Sequence, residues 1–333
     1  MIVKARESAV PGSEAQCPAI LGNRVELQLL TTLRCNLKCT YCSLGVGEVL
    51  GSQREITYTL DQLDAFIEAQ LAGKEIYITF YGGEPTLNLD LMIAVMRRYP
   101  EYRFQLQTNG TLTARVTWSS ADTSFEELDQ LTQYFDYIYF QFVAQEGAYA
   151  EEALVKKREV IAKLVERFFA GDTLYPFIPI MGTVRNKVLP SRAEELCAGM
   201  TQCRTSTHIL NVMPDGKIYP CPDLLYLPEM LQGDVVANWL RRSPLQPHPD
   251  MPCERCGAFK FCRRNCMKNL YLAYVKGEQT YRESVVEPIC DLVRFLGEEV
   301  DRHDPHAWYA RMPLAVRDVV AGCPVYEYVE VMP

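Results

Sequence analysis

From Val25 onward, short runs rich in aromatic and β-branched residues alternate with longer runs whose apolar positions recur at helical spacing. The short runs predict strands over Val25–Leu30, Glu75–Phe80, Tyr102–Gln107, Asp136–Phe142 and Tyr175–Met181. Between them, Thr59 and Gln62 have capping-box spacing, Leu60, Leu63, Phe66, Ile67 and Leu71 keep one apolar face, and Gly73 ends the run. Glu151–Phe169 repeats that pattern through Leu154, Ile161, Leu164, Val165 and Phe168. Strand, helix, strand in this order predicts an α/β fold with a parallel sheet, whose chemistry gathers at the carboxyl ends of the strands. Residues 1–24 are irregular, with breaks at Pro11-Gly12 and Gly22-Asn23.

Beyond residue 197 cysteine and proline become dense and the periods fade. "NVMPDGKIYPC" predicts two short strands around Pro214-Asp215-Gly216, and "HILNV" before it fits either a sixth strand of the first sheet or the cysteine-rich part. That part is expected to be a small domain held by metal rather than by a large apolar core. Leu292–Val300 is amphipathic and "VYEYVEV" is strand-like, both expected to pack against the first domain.

Composition narrows the chemistry. The 333 residues carry a net charge of −8 and only short basic groups such as Lys156-Lys157-Arg158 and Arg263-Arg264, which excludes the broad basic surface of a nucleic-acid binder. No apolar run is long enough to span a bilayer and Met1–Cys17 lacks a signal-peptide core, so a cytoplasmic protein is expected, with no membrane partner. In a reducing compartment its 13 cysteines read as metal ligands or catalytic thiols.

Cys35, Cys39 and Cys42 fall on the loop after the first strand. A closed zinc site needs four ligands, and the four histidines, at 208, 248, 303 and 306, are all remote in sequence. Three thiolates therefore point to a metal centre with one open coordination position, as in a four-iron cluster. CxxxCxxC with Tyr41 before the last cysteine resembles the radical S-adenosylmethionine (radical SAM) enzymes, as do "YGGEP" (Tyr81–Pro85) after the second strand and "LQTNG" (Leu106–Gly110) at the end of the third. The resemblance implies a partial (β/α)6 TIM-like barrel. In it the cluster on Cys35, Cys39 and Cys42 cleaves S-adenosylmethionine to a 5'-deoxyadenosyl radical, using an electron from an external reductant. It further implies that Gly82, Gly83, Glu84 and Pro85 line the methionine end, that Tyr41 lies near the adenine and that Asn109 belongs to the cofactor site. The family's Ser-x-Asp-Gly is here Ala144-Gln145-Glu146-Gly147, leaving Gln141 or Arg158 as replacements for the serine.

Cys203 and Cys221 around Gly216, then Cys253-x2-Cys256-x5-Cys262-x3-Cys266 and Cys290, resemble the SPASM domain of peptide-modifying radical SAM enzymes. This implies two auxiliary [4Fe-4S] clusters and three in all: Cys253, Cys256, Cys262 and Cys290 on one, and Cys203, Cys221 and Cys266 with Cys197 on the other. Two zinc knots are the alternative use of the same thiols. Cys17 and Cys323 fit neither set and read as ordinary thiols. The expected organisation is an extension over 1–24, the radical SAM barrel over 25–196, the iron–sulfur SPASM domain over 197–290 and a C-terminal helix and tail over 291–333.

The function implied is hydrogen abstraction from a ribosomally made precursor peptide, leading to a crosslink, epimerisation or backbone excision. Tyr139, Gln141 and Glu146 are placed on the substrate side. Formylglycine-type maturation of a sulfatase and a non-catalytic zinc-stabilised binding protein are the alternatives. Twenty-four residues before the first strand are too few for an independent domain, which predicts either a separate leader-binding partner or leader-independent recognition.

Overall fold

The computed structural model describes residues 24–35, 55–107, 114–118, 123–134, 138–171, 173–190, 205, 207–225, 227–262, 264 and 266–323. Its strands are β1 (Arg24–Thr32), β2 (Glu75–Gly82), β3 (Arg103–Leu106), β4 (Ala114–Trp118), β5 (Ile138–Phe142), β6 (Ile209–Val212), β7 (Lys217–Tyr219), β8 (Gly233–Asp234) and β9 (Trp239–Leu240). The barrel-side helices are α1 (Leu60–Gln70), α2 (Leu89–Arg98), α3 (Phe125–Gln130), α4 (Glu151–Phe169) and α5 (Ile178–Val188). The cysteine-rich part adds α6 (Phe259–Cys262), α7 (Met267–Leu270) and α8 (Gln279–Tyr281), and the chain continues through α9 (Glu287–Arg302), α10 (Pro305–Arg311) and α11 (Leu314–Gly322).

The expected α/β architecture is present. One sheet has the order β3-β2-β1-β6-β7-β8-β9, and β4-β5 form a second. β1, β2, β3 and β6 run parallel, as do β4 and β5, while β6 to β9 form an antiparallel meander. "HILNV" thus belongs to the first sheet, parallel to β1 with Glu26 opposite Ile209, and also opens the meander around Pro214-Asp215-Gly216.

The first core forms where the outward-facing Val25, Leu27 and Leu29 of β1 and Ile76, Ile78 and Phe80 of β2 meet Leu63 and Phe66 of α1 and Met92 and Val95 of α2. The capping box at Thr59 starts α1 as expected, with Gln62 N donating to Thr59 Oγ1 at 3.2 Å and Thr59 N to Gln62 Oε1 at 2.9 Å. The opposite face of these strands is unusual for a parallel sheet buried on both sides. Register places Gln105, Thr79, Gln28 and Asn211 side by side across β3, β2, β1 and β6. Thr79, Gln28 and Asn211 are buried. Glu26, one row below, accepts from Thr79 Oγ1 at 2.5 Å and Gln28 Nε2 at 3.2 Å. One row above, towards the strand ends, Leu30, Tyr81 and Met213 form an apolar layer with Leu33 and Leu225.

A second core gathers β5, α4, α5, α9, α10 and α11 around Trp308, which is fully buried against Phe168 and Phe169. Leu292, Leu296 and Val300 of α9 enter it, so the amphipathic C-terminal stretch does pack on the helices of the first part. Cys323 is buried at its edge. The cysteine-rich part has an apolar centre of its own, including Leu224, Met230, Leu245, Met251 and Met267, with Cys221, Cys253 and Cys290 packed against it.

One expected strand is corrected. Tyr175–Met181 makes only a single parallel bridge, Phe177 to Ile138, and then turns into α5. Pro179 sits in the first helical turn, where its missing N–H is no loss, and a short apolar run fits a buried helix as well as a strand. β4 is a strand that the reading of the pattern passed over. "VYEYVEV" lies outside the described residues.

Candidate cofactor site

β1 delivers Cys35 three residues after its last member, and the ends of β1 and β2 are clamped together there. Gly83 N donates to Thr32 O at 2.9 Å, Glu84 N to Arg34 O at 2.8 Å and Asn88 Nδ2 to Thr31 O at 2.9 Å. The glycines make this approach possible. Gly82 has φ +127, and a Cβ on it would stand 2.3 Å from Thr32 O. A Cβ on Gly83 would stand 2.2 Å from Arg34 O and 2.6 Å from Arg34 C. No side chain larger than hydrogen fits between these backbones. Arg34 is further tied to Glu55 by an ion pair of 2.5 Å.

Glu84 is buried, and its Oε1 caps the turn Pro85–Asn88 by accepting from Thr86 N at 3.1 Å and Thr86 Oγ1 at 2.6 Å. The motif Tyr81–Pro85 therefore works first as a clasp: two glycines and a cap hold the start of the cysteine loop against β2. Cys39, Tyr41, Cys42 and Asn109 lie outside the described residues. Gln107, just before them, has a buried Oε1 with no hydrogen-bond partner, and so does Oδ1 of Asn211, whose Nδ2 donates to Tyr219 O at 3.2 Å.

The other expected cofactor and substrate residues are dispersed. Gln141 is on β5 opposite Thr117, its side chain outside the description. Arg158 is exposed on α4, with its guanidinium 5.7 Å from the Phe295 ring of α9. The lysine beside it, Lys157, is fully buried, 6.0 Å from the ring of Tyr149. Tyr139 is buried in the second core, and Glu146 is exposed on the turn after β5.

The described thiols of the cysteine-rich part fall into two groups. Cys253 and Cys256 flank one turn, Cys262 ends α6 and Cys290 rides on α9. Gly297 of α9 leaves the notch that Phe261 enters, since a Cβ there would stand 2.2 Å from Phe261 Cζ, and this seats α6 on α9. Burial pushes the Cys290 thiol up to about 12, with Cys262 and Cys256 adding to the shift and Arg294 opposing it. Burial likewise pushes Cys253 up to about 11, against Arg264 and with Cys290 and Cys256. These four thiols feel one another's charge.

Cys266 and Cys221 form the other group, through Lys268. Burial raises the Cys266 thiol, and Lys268 opposes the rise. Lys268 is ion-paired to Asp223 at 3.3 Å and lies within electrostatic reach of both Cys266 and Cys221. Cys197 and Cys203 lie outside the described residues. Among the described residues no three histidine, cysteine, aspartate or glutamate side chains are set to hold a single metal ion. As a donor set, grouped thiols suit iron–sulfur clusters. Sequence reading found these cysteines, but it missed the cations set among them.

Residues 29–142 match the family described as the Radical SAM superfamily. The chain carries a radical SAM domain. Such a domain takes S-adenosylmethionine and an iron–sulfur cluster, and the clasp lies within the matched segment. The chain is also similar to a probable GTP 3',8-cyclase of Halobacterium salinarum, 29% identical over 133 residues, which are 39% of this chain and 36% of that protein. The chain thus spans about a third of the length of this curated relative.

Solved structures extend the likeness in fold beyond the radical SAM domain. The chain is similar to anSMEcpe with bound AdoMet (TM-score 0.51, 16% identity), over 85% of this chain and 100% of that one. It is also similar to Streptococcus suis SuiB bound to precursor peptide SuiA (TM-score 0.50, 16% identity), over 79% of this chain and 75% of that one. The TIM-like radical SAM fold is therefore the fold of this chain. No helix among the described residues is long and apolar enough to cross a membrane.

Proposed function

We propose that the radical SAM domain serves a peptide-modifying enzyme whose cysteine-rich part is a SPASM domain with two auxiliary clusters. The observation that carries this reading is the placement of thiols outside the radical SAM match: Cys253, Cys256 and Cys262 near Cys290 where Phe261 of α6 enters the Gly297 notch of α9, and Cys221 and Cys266 near the ion pair of Asp223 and Lys268. The likeness in fold to SuiB, solved with a precursor peptide, supports a peptide as substrate.

When bound, the cofactors supply one-electron cleavage of S-adenosylmethionine and a 5'-deoxyadenosyl radical that removes hydrogen from the substrate. The chain's own residues hold and aim them. Cys35, with Cys39 and Cys42, would hold the first cluster, and Gly82, Gly83, Glu84 and Pro85 would fix its loop and border the methionine end. Leu30, Tyr81 and Met213 would exclude water from the strand ends. The acceptor atoms Asn211 Oδ1 and Gln107 Oε1 suit a substrate bearing amide N–H groups, as a peptide backbone does.

Nucleotide cyclisation is the second reading, favoured by the GTP 3',8-cyclase similarity, which covers only 39% of the chain. The deciding experiment incubates anaerobically reconstituted protein with S-adenosylmethionine, dithionite and either precursor peptides or GTP. Peptide modification, with about twelve irons bound per chain from three four-iron clusters, supports the first reading. GTP consumption replaces it with the second. Zinc in place of iron throughout refutes both.

A further inference from the structure

Two arginines flank the four-thiol group, and each is held by the acidic residue that directly follows a cysteine. Arg294 lies one helical turn beyond Cys290 on α9, so the two share a face. It is ion-paired to Asp291, the residue after Cys290, and lies within electrostatic reach of the Cys290 thiol. Arg264 approaches from the loop between Cys262 and Cys266, where its backbone takes φ 59. Its side chain is only 2% exposed, pairs with Glu254 at 2.7 Å and lies 4.9 Å from the Phe259 ring. Glu254 is itself 61% exposed. A guanidinium this buried requires negative charge beside it. Four thiolates around a bound cluster add such charge to that of Glu254.

We propose that Arg264 and Arg294 are positioning residues that raise the reduction potential of the cluster held by Cys253, Cys256, Cys262 and Cys290. The proposal rests on the reading of these thiols as an auxiliary-cluster site. One-electron reduction by an external reductant adds one negative charge to a bound cluster. A fixed cation stabilises that reduced form over the oxidised one. Arg294 and Arg264 each supply such a charge. The pair would make this cluster easier to reduce than it would be without them.

The test uses the full chain with Cys35, Cys39 and Cys42 replaced by alanine, so that only auxiliary clusters contribute. Iron and sulfide are counted, and midpoint potentials are read by redox titration with paramagnetic resonance. In R264Q and R294Q, iron content is expected to hold while one of the two midpoints falls, and the same midpoint falls further in the double variant. R294K, which keeps the charge, is expected nearer the parent than R294Q. Unchanged midpoints in both glutamine variants at full iron would overturn the proposal. So would loss of iron from R264Q, R294Q and R294K alike, which would make the arginines structural. A parent that binds zinc or no iron would instead remove the auxiliary-cluster reading itself.

Discussion

Gly83→Ala isolates the steric requirement of the clasp, because nothing but the methyl group changes. Gly83 has no positive φ, so alanine meets no backbone penalty there. The new Cβ meets Arg34 O at 2.2 Å, Arg34 C at 2.6 Å and Leu33 C at 2.9 Å, all backbone atoms that cannot swing aside. The strand ends must open by about 0.8 Å before the shortest contact reaches the 3.0 Å below which real Cβ atoms essentially never approach. That opening strains the hydrogen bonds Gly83 N to Thr32 O and Glu84 N to Arg34 O, each contributing about 1 kcal/mol. Overpacking adds about 1–3 kcal/mol, for an expected loss of about 3–5 kcal/mol. Because Cys35 follows Arg34 directly, a displacement near 1 Å is also expected to slow S-adenosylmethionine cleavage about 100-fold. Gly322→Ala is the control: nothing lies within 4 Å of its Cβ, and neither property should fall. Urea denaturation and chromatography of 5'-deoxyadenosine measure the two effects. A G83A protein with the parent's urea midpoint and cleavage rate would refute the clasp.

Trp308 is fully buried against Phe168 and Phe169, and its Nε1 has no partner. W308A is expected to lose about 3–5 kcal/mol in urea denaturation, whereas W308F, which keeps the ring and removes the unpaired N–H, should lose clearly less. Thr59→Ala deletes one half of the α1 capping box and should cost about 1 kcal/mol, with Thr59→Ser restoring most of it. Arg98, assisted by Tyr99, hydrogen-bonds the Asp64 carboxylate and holds its pKa below the usual range. A depressed carboxylate stabilises the fold above its unfolded pKa of about 3.9. That stabilisation disappears as pH falls through the folded value, so the deficit of D64N should be full at pH 7 and vanish at low pH in thermal melts.

The sequence makes visible those elements whose pattern has a single physical reading. α1 and α4 have caps or long apolar faces, β1 leads into the cysteine loop and β2 ends in a motif whose glycines have a use, so all four are found where expected. Tyr175–Met181 was open to two readings, because its run is short and apolar throughout, and two prolines settled it as a bridge followed by a helix. β4 is a five-residue strand with charged Arg115 among its members, too brief for a two-residue period to stand out. The cysteines of the site were legible from their spacing. Arg264 and Arg294 were not, because an arginine that turns inward has the same letter as one that faces water. Only the fold reveals that one is buried and the other shares a helix face with Cys290.

The polar row of Gln105, Thr79, Gln28 and Asn211 has a consequence for how such a barrel changes over generations. Apolar cohesion around β1 and β2 lies on their outward face, beneath α1 and α2. Along this row the inward face contributes little of it, the apolar layer of Leu30, Tyr81 and Met213 lying beyond towards the strand ends. Exchanging one polar side chain for another on the inward face alters what the lumen welcomes while leaving the outer adhesion intact. A scaffold partitioned in this way is free to acquire new substrates without first gaining a reserve of stability to spend.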